Sequence, residues 1–349
     1  MKGKLLGLTA LGASAYLVSQ YLRSRSRVDL HGKVVLITGG SRGLGLATAR
    51  EFGSRGASVA ICARNREQLN RATADLRSRG AKAYSFVCDV TDRKQVRALV
   101  ADVTALLGPI DILINNAGVI KVGPFQEMHI DDFEEAINVM FWGMLNVTLA
   151  VLPSMRARGQ GSIVNVTSIG GKVTVPHLLP YCCAKFAAMA LSEGLGIEMA
   201  GEGIQVTTIV PGLLRTGSHL NAEFKGNLKG EYGWFAAGAA SPAVSISADR
   251  AARSIVGATI RRQREKILSI PAEVLARLQG VAPVLARAAL GVANRLLPAS
   301  EGCHDDFTPG REIEAEFTST VWKVMTKLGQ NAAASLNQIL HEETRTGLT

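Results

Sequence analysis

Tyr181 and Lys185 stand four residues apart at the start of a helical pattern, which puts a phenol and an ammonium group on one helix face. A carbonyl or alcohol carbon that exchanges a hydride needs a neighbour that gives or takes a proton at its oxygen. A phenol alone suits this poorly, because its ordinary pKa is near 10. A cation beside it favours the phenolate, so Lys185 is expected to make Tyr181 more acidic. YxxxK spacing arises by chance in many helices, and the pair gains meaning only from its surroundings. His177 lies shortly before it, and a lone histidine near a cleft is expected to line the substrate site or the surface, not to catalyse.

A second constellation lies near the start of the chain. The apolar β-branched run KVVLITG from Lys33 leads into Thr38-Gly39-Gly40-Ser41-Arg42-Gly43-Leu44-Gly45, and a helical run follows at once. Strand, glycine turn and helix are the context in which such a turn holds a pyrophosphate: glycines let backbone approach the ligand, and the helix N-terminus faces its charge. At the end of the second apolar run the chain reads Cys62-Ala63-Arg64-Asn65. An NAD site places a carboxylate there for the ribose hydroxyls. Here Arg64 offers instead a planar fork of donors suited to a 2′-phosphate, so NADP(H) is the expected cofactor.

Both constellations need a scaffold, and the chain spells one out. Apolar runs begin at Lys33, Ser58, Ala83, Ile112, Ser162, Ile204 and Lys266, separated by helical patterns over 43–54, 66–79, 92–107, 131–158 and 180–200. Nearly continuous apolar runs are those of strands covered on both faces. The expected fold is α/β: a Rossmann-like, doubly wound, seven-stranded parallel sheet forming a single catalytic domain over residues 29–270.

The spacing of the glycine turn resembles the TGxxxGxG of the classical short-chain dehydrogenase/reductase family. The other motifs that carry the resemblance are Asp89-Val90, Asn115-Asn116-Ala117-Gly118, the VTS ending at Ser168, YCCAK from Tyr181, and Pro211-Gly212, in the family's order over about residues 29–270. The resemblance implies that Gly39, Ser41, Gly43, Leu44 and Gly45 cradle the pyrophosphate. It implies that Asp89 and Val90 border the adenine, that Asn116, Ala117 and Gly118 border the ribose, and that Pro211, Gly212 and Thr216 flank the nicotinamide. Arg42 resembles a second basic residue of NADP-preferring members, and Lys185 would also hold the ribose. Ser168 would share the substrate oxygen with Tyr181, and Asn138 would fix a proton-relaying water. Homo-oligomers through the helices near 131–158 and 180–200 are a further implication.

The 349 residues are 47% hydrophobic, which excludes a mainly disordered chain. Of the net charge of +10, five positive charges come from Lys2, Lys4, Arg23, Arg25 and Arg27, ahead of the first acid. They flank the uncharged stretch 5–18, short of the roughly 20 residues of a bilayer span. Residues 1–28 are therefore expected to form an uncleaved membrane-associating segment of a cytoplasmic, membrane-associated protein. Residues 271–300 form a basic amphipathic helical extension, expected to cover the substrate cleft or lie on a membrane, and 301–349 a partly ordered tail. Five cysteines without CxxC spacing suggest neither a disulfide framework nor a metal site.

The stretches 173–179 and 211–247 carry Leu213, Leu214, Phe224, Tyr232, Trp234 and Phe235 and lack a basic cluster, which predicts a lipophilic carbonyl or alcohol substrate. The expected function is an NADP(H)-dependent oxidoreductase. A non-catalytic NADP-binding sensor or scaffold, and an NAD-dependent alcohol dehydrogenase, are the alternatives. A nucleic-acid binder is disfavoured, because the basic residues cluster beside an apolar segment and no recognised module is present.

Overall fold

A computed structural model describes residues 27–300 and 306–339. The expectation for residues 1–28 thus falls almost wholly outside the described residues. Seven parallel strands form the central sheet: β1 (Val34–Thr38), β2 (Ser58–Ala63), β3 (Lys82–Val87), β4 (Ile112–Asn115), β5 (Gly161–Val166), β6 (Ile204–Val210) and β7 (Glu265–Ile267). Their spatial order is β3-β2-β1-β4-β5-β6-β7, the doubly wound topology expected from the alternating runs. Strand order reverses between β1 and β4, so the crevice beyond their carboxyl ends is the ligand position in such sheets.

The covering helices are α1 (Gly43–Gly53), α2 (Arg66–Ser78), α3 (Arg93–Leu107), α4 (Ile130–Ile137), α5 (Gly143–Arg158), α6 (Leu179–Glu198), α7 (Leu228–Ala240) and α8 (Ala248–Ile260). Alternate residues of β1 serve opposite layers. Val35 and Ile37 pack with Leu46 and Phe52 of α1, Leu69 and Leu76 of α2 and Ile255 of α8. Val34 and Leu36 pack with Leu99 and Val103 of α3 and Val147 and Val151 of α5. Each fully buried Leu or Ile contributes about 1.5–3 kcal/mol, so both faces hold the sheet.

The long helix expected over 131–158 is interrupted. Residues Asn138–Trp142 form a π-helical turn between α4 and α5, which changes the helix phase at this point. Caps mark α2 and α3, where the Asn65 side chain accepts from the Gln68 amide and Asp92 accepts from the Lys94 and Gln95 amides.

After β7 the chain forms α9 (Ile270–Val281) and α10 (Pro283–Asn294), a hairpin broken at Ala282 because Pro283 cannot continue the helix before it. The segment Thr308–Pro309 then pairs with Glu223–Phe224, and α11 (Gly310–Glu314) and α12 (Thr320–Ser335) follow. Phe307 sits over the ammonium groups of Lys121 and Lys225, at 4.0 and 4.4 Å. Phe317 and Trp322 stack at 4.3 Å and meet Tyr232, which also meets Phe224 edge-on. The described part of the C-terminal region is therefore packed onto the catalytic domain.

Candidate active site

The carboxyl ends of the strands open into a cavity of about 730 Å³. Its walls include Gly39, Ser41, Arg42, Gly43, Leu44, Arg64, Asp89, Val90, Asn116, Ala117 and Gly118 on one side. Ser168, Tyr181, Lys185, Pro211, Gly212 and Thr216 stand on the other. Of the catalytic and cofactor residues expected from the sequence, Gly45 and Asn138 do not line it.

Gly45 acts from behind the wall. A Cβ there would lie 2.1 Å from the Gly39 carbonyl oxygen, so only glycine lets α1 start this close to the turn. Gly39 itself has φ +63°, and a Cβ would lie 2.9 Å from the Ala117 Cα. No side chain caps α1, and the amides of Leu44 and Gly45 have no acceptor among the described residues. Two orphan donors at a helix N-terminus, facing a groove where backbone comes close, fit a pyrophosphate. Asn116 serves the turn as well as the wall: its Nδ2 donates to the carbonyls of Thr38 and Gly39, each at 3.1 Å, and its amide donates to the Thr38 hydroxyl.

Arg42 and Arg64 face the same groove, and Arg311 of α11 joins them. None of the three forms an ion pair among the described residues, and the guanidinium of Arg42 is pushed down by burial and then by Arg64 and Arg311. Three converging cations, none of them paired to a carboxylate, fit a phosphate dianion. Arg311 was not visible in the sequence, since nothing in its neighbourhood marks it as close to position 42.

On the opposite wall, Ser168 follows β5 and Tyr181 enters α6. The two hydroxyls are hydrogen-bonded, and the Ser168 Oγ also accepts from the Gly170 amide at 3.0 Å. Lys185 lies one turn on, its Nζ 5.7 Å from the Tyr181 ring centroid and donating to the Val166 carbonyl at 2.9 Å. The pair is thus brought together as expected, but its electrostatics differ from the expectation. Burial pushes the Tyr181 hydroxyl up to about 12, only partly opposed by Ser168, and brings Lys185 down to about 8. Lys185 gives one of its three N–H donors to a backbone carbonyl, and burial rather than the ammonium sets the direction of the Tyr181 shift.

Asn138 is not brought to the site. It is exposed at the start of the π turn, and its side chain has no partner among the described residues. Two residues on, Met140 is buried, lines the cavity and packs with Ala184 and Tyr181. Asn138 therefore does not hold a water against Lys185 in this geometry, because the helix turns its position outward.

The substrate half of the cavity is apolar: Ile120, Val175, Leu178, Leu213, Trp234 and Phe235 face it, with Ala272 and Leu275 of α9 closing one side. Phe224 and Tyr232, expected to line it, are fully buried in the aromatic cluster instead. His177 also lies off this cavity. Its Nδ1 meets Glu231 Oε1 at 2.6 Å, and the same buried carboxylate accepts from Trp234 Nε1 at 2.7 Å, which fixes one apolar wall.

The short chain dehydrogenase family profile matches residues 33–225, and the chain belongs to that family, the classical short-chain dehydrogenase/reductases, a class of oxidoreductases. It is 38% identical over 186 residues, 53% of this chain and 71% of the relative, to a putative ketoacyl reductase of Streptomyces coelicolor. To a dehydrogenase/reductase SDR family protein 7-like of Anopheles gambiae it is 35% identical over 259 residues, 72% of this chain and 80% of the relative. Among solved structures it resembles a gluconate 5-dehydrogenase of Burkholderia cenocepacia in complex with NADP and tartrate, with TM-score 0.62, 28% identity, and 72% and 99% of the two chains covered. An actinorhodin polyketide ketoreductase with NADPH aligns at TM-score 0.59 and 30% identity, over 68% of this chain and 95% of that one.

Proposed function

We propose that the chain is an NADP(H)-dependent reductase of lipophilic ketones or aldehydes, with Tyr181 as proton donor. The observation that carries this reading is a single cavity joining the Ser168–Tyr181–Lys185 cluster to an uncapped α1 N-terminus and the guanidiniums of Arg42 and Arg64, neither of which has a carboxylate partner among the described residues. A nicotinamide held in this cavity would supply the hydride chemistry. The Leu44 and Gly45 amides would take the pyrophosphate, and Arg42 and Arg64 the 2′-phosphate. The apolar wall built by Leu213, Trp234, Phe235 and Leu275 excludes water and orients an apolar carbonyl compound. With its hydroxyl held at about 12, Tyr181 is a neutral phenol around pH 7 and can deliver its proton to a carbonyl oxygen as negative charge builds there. Ser168 shares that oxygen as a second hydrogen-bond donor.

Oxidation of NADPH with a panel of lipophilic carbonyl compounds tests the proposal. Turnover is expected in the wild type and a loss of about 10²–10⁴-fold in Tyr181→Phe. Wild-type binding of NADPH with no turnover across the panel would favour the scaffold alternative, and full activity in Tyr181→Phe would remove Tyr181 from the mechanism.

A further inference from the structure

The C-terminal end of α12 reaches back across the nucleotide groove. The Gly43 amide, at the N-terminus of α1, donates to the Leu336 carbonyl at 2.9 Å. Asn337, with φ +56°, sits in the left-handed region that asparagine tolerates. Its Nδ2 donates to the carbonyls of Ser41 and Gln68, at 2.8 and 2.9 Å, while its Oδ1 accepts from Arg71. Gln338 is buried and lines the cavity. These residues leave the Leu44 and Gly45 amides free, so they border the phosphate cradle without filling it.

Gln338 also starts a chain of side-chain bonds whose polarity is fixed at every link. Its Nε2 donates to the Thr216 carbonyl at 3.0 Å. Its Oε1 accepts from Asn221 Nδ2 at 2.9 Å, and its backbone carbonyl accepts from the same nitrogen at 3.0 Å. That double contact turns the Asn221 amide so that its Oδ1 faces Arg42, whose Nη1 donates to it at 2.5 Å. Arg42 has no carboxylate to hold it, so Asn221 is what fixes its guanidinium beside Arg64 and Arg311. A neutral amide suits this task. It anchors the arginine without neutralising it, whereas a carboxylate would compete with an incoming phosphate.

We propose that Gln338, acting through Asn221, is a positioning residue for cofactor selection: the C-terminal clasp aims Arg42 at the 2′-phosphate and thereby sets the preference for NADPH over NADH. This rests on the NADP(H) reading above. A free arginine side chain must give up rotamer freedom on binding, and a residue that orders it beforehand removes part of that cost. NADH carries no phosphate at this place, so its affinity does not depend on where Arg42 points.

Dissociation constants for NADPH and NADH, measured by quenching of protein fluorescence, test the clasp. The variants are Gln338→Met, which keeps the volume but breaks the relay, Asn221→Ala, Arg42→Ala, and Arg42→Ala combined with Gln338→Met. Gln338→Met and Asn221→Ala are each expected to weaken NADPH on the order of tenfold and NADH less than about twofold. Adding Gln338→Met to Arg42→Ala should then cost nothing further, because the two act on one contact. An unchanged NADPH/NADH ratio in Gln338→Met, or equal weakening of both cofactors, overturns the inference and leaves the NADP(H) reading standing. A wild type without preference for NADPH overturns that reading, and the inference with it.

Discussion

At the scale of single residues, what matters is which way a side chain faces, and here helix spacing sets Tyr181 beside Lys185 while Asn138, expected from the family resemblance, faces away from the cavity. Tyr181 and Lys185 share one regular helix, so a spacing of four guarantees a common face. Asn138 begins a π-helical turn, and the residue that reaches the cavity is Met140. No rule of periodicity flags a π turn in advance, and the role expected of Asn138 came from the family resemblance, which carries no account of the local helix phase. Asn138→Ala is therefore expected to leave kcat with a good carbonyl substrate within about twofold of wild type, as for a surface change. Lys185→Ala, by contrast, should lower it about 10²-fold or more, as removal of a group beside the acid does. Steady-state kinetics of the two variants decide the matter, and an Asn138→Ala enzyme as impaired as Lys185→Ala would show that the side chain turns inward when cofactor binds.

At the scale of elements, the sheet and its helices were legible because parallel strands buried on both faces are written as unbroken apolar runs, as in Val34–Thr38 and Ile204–Val210. The α9–α10 hairpin was legible only in part. Its amphipathic pattern was plain, but the sequence left open which apolar side chains face the cavity. Ala272 and Leu275 do. Val281, Val284, Val292 and Leu296 stand exposed on the other side, at 88, 74, 59 and 83%, with Arg287 and Arg295 among them and no carboxylate in α10. We propose that this face rests on an anionic bilayer, which would bring a lipophilic substrate to a cavity whose wall is the same hairpin. Co-sedimentation of the full chain with phosphatidylserine vesicles checks this. Val284→Asp with Val292→Asp should weaken binding at least about tenfold, since two apolar side chains lose their burial. Turnover of a water-soluble carbonyl compound should not change, as both positions lie outside the cavity. Equal vesicle binding by wild type and variant would assign membrane contact to some other part of the chain.

At the scale of the whole molecule, the C-terminal layer joins parts that no local pattern connects: Gln338 meets Thr216 across 122 positions, and Asn337 meets Ser41 across 296. Such contacts have no period and no motif, which is why this layer was the least legible part of the chain. His219 lies where the layer meets the domain. It is buried to 1% exposure, its Nε2 lacks a partner among the described residues, and its Cε1 lies 3.0 Å from where a Cβ on Gly329 of α12 would be. Burial lowers its pKa to about 4, with Glu314 pulling the other way. In the unfolded chain the same ring takes up a proton below about 6.5. Between these values the unfolded state binds more protons than the folded one, so stability is lost as pH falls from about 6.5 towards 4, by up to about 3 kcal/mol. The charge would appear inside the contact between α12 and the domain, so the C-terminal layer should loosen before the sheet. Hydrogen exchange corrected for intrinsic rates should show residues 308–338 losing protection between pH 6 and 4.5 while β1 and β4–β6 keep theirs, and NADPH affinity should fall with it as the clasp lets go of Arg42. His219→Gln should flatten both pH dependences. Identical acid sensitivity in wild type and His219→Gln would place the trigger at another group.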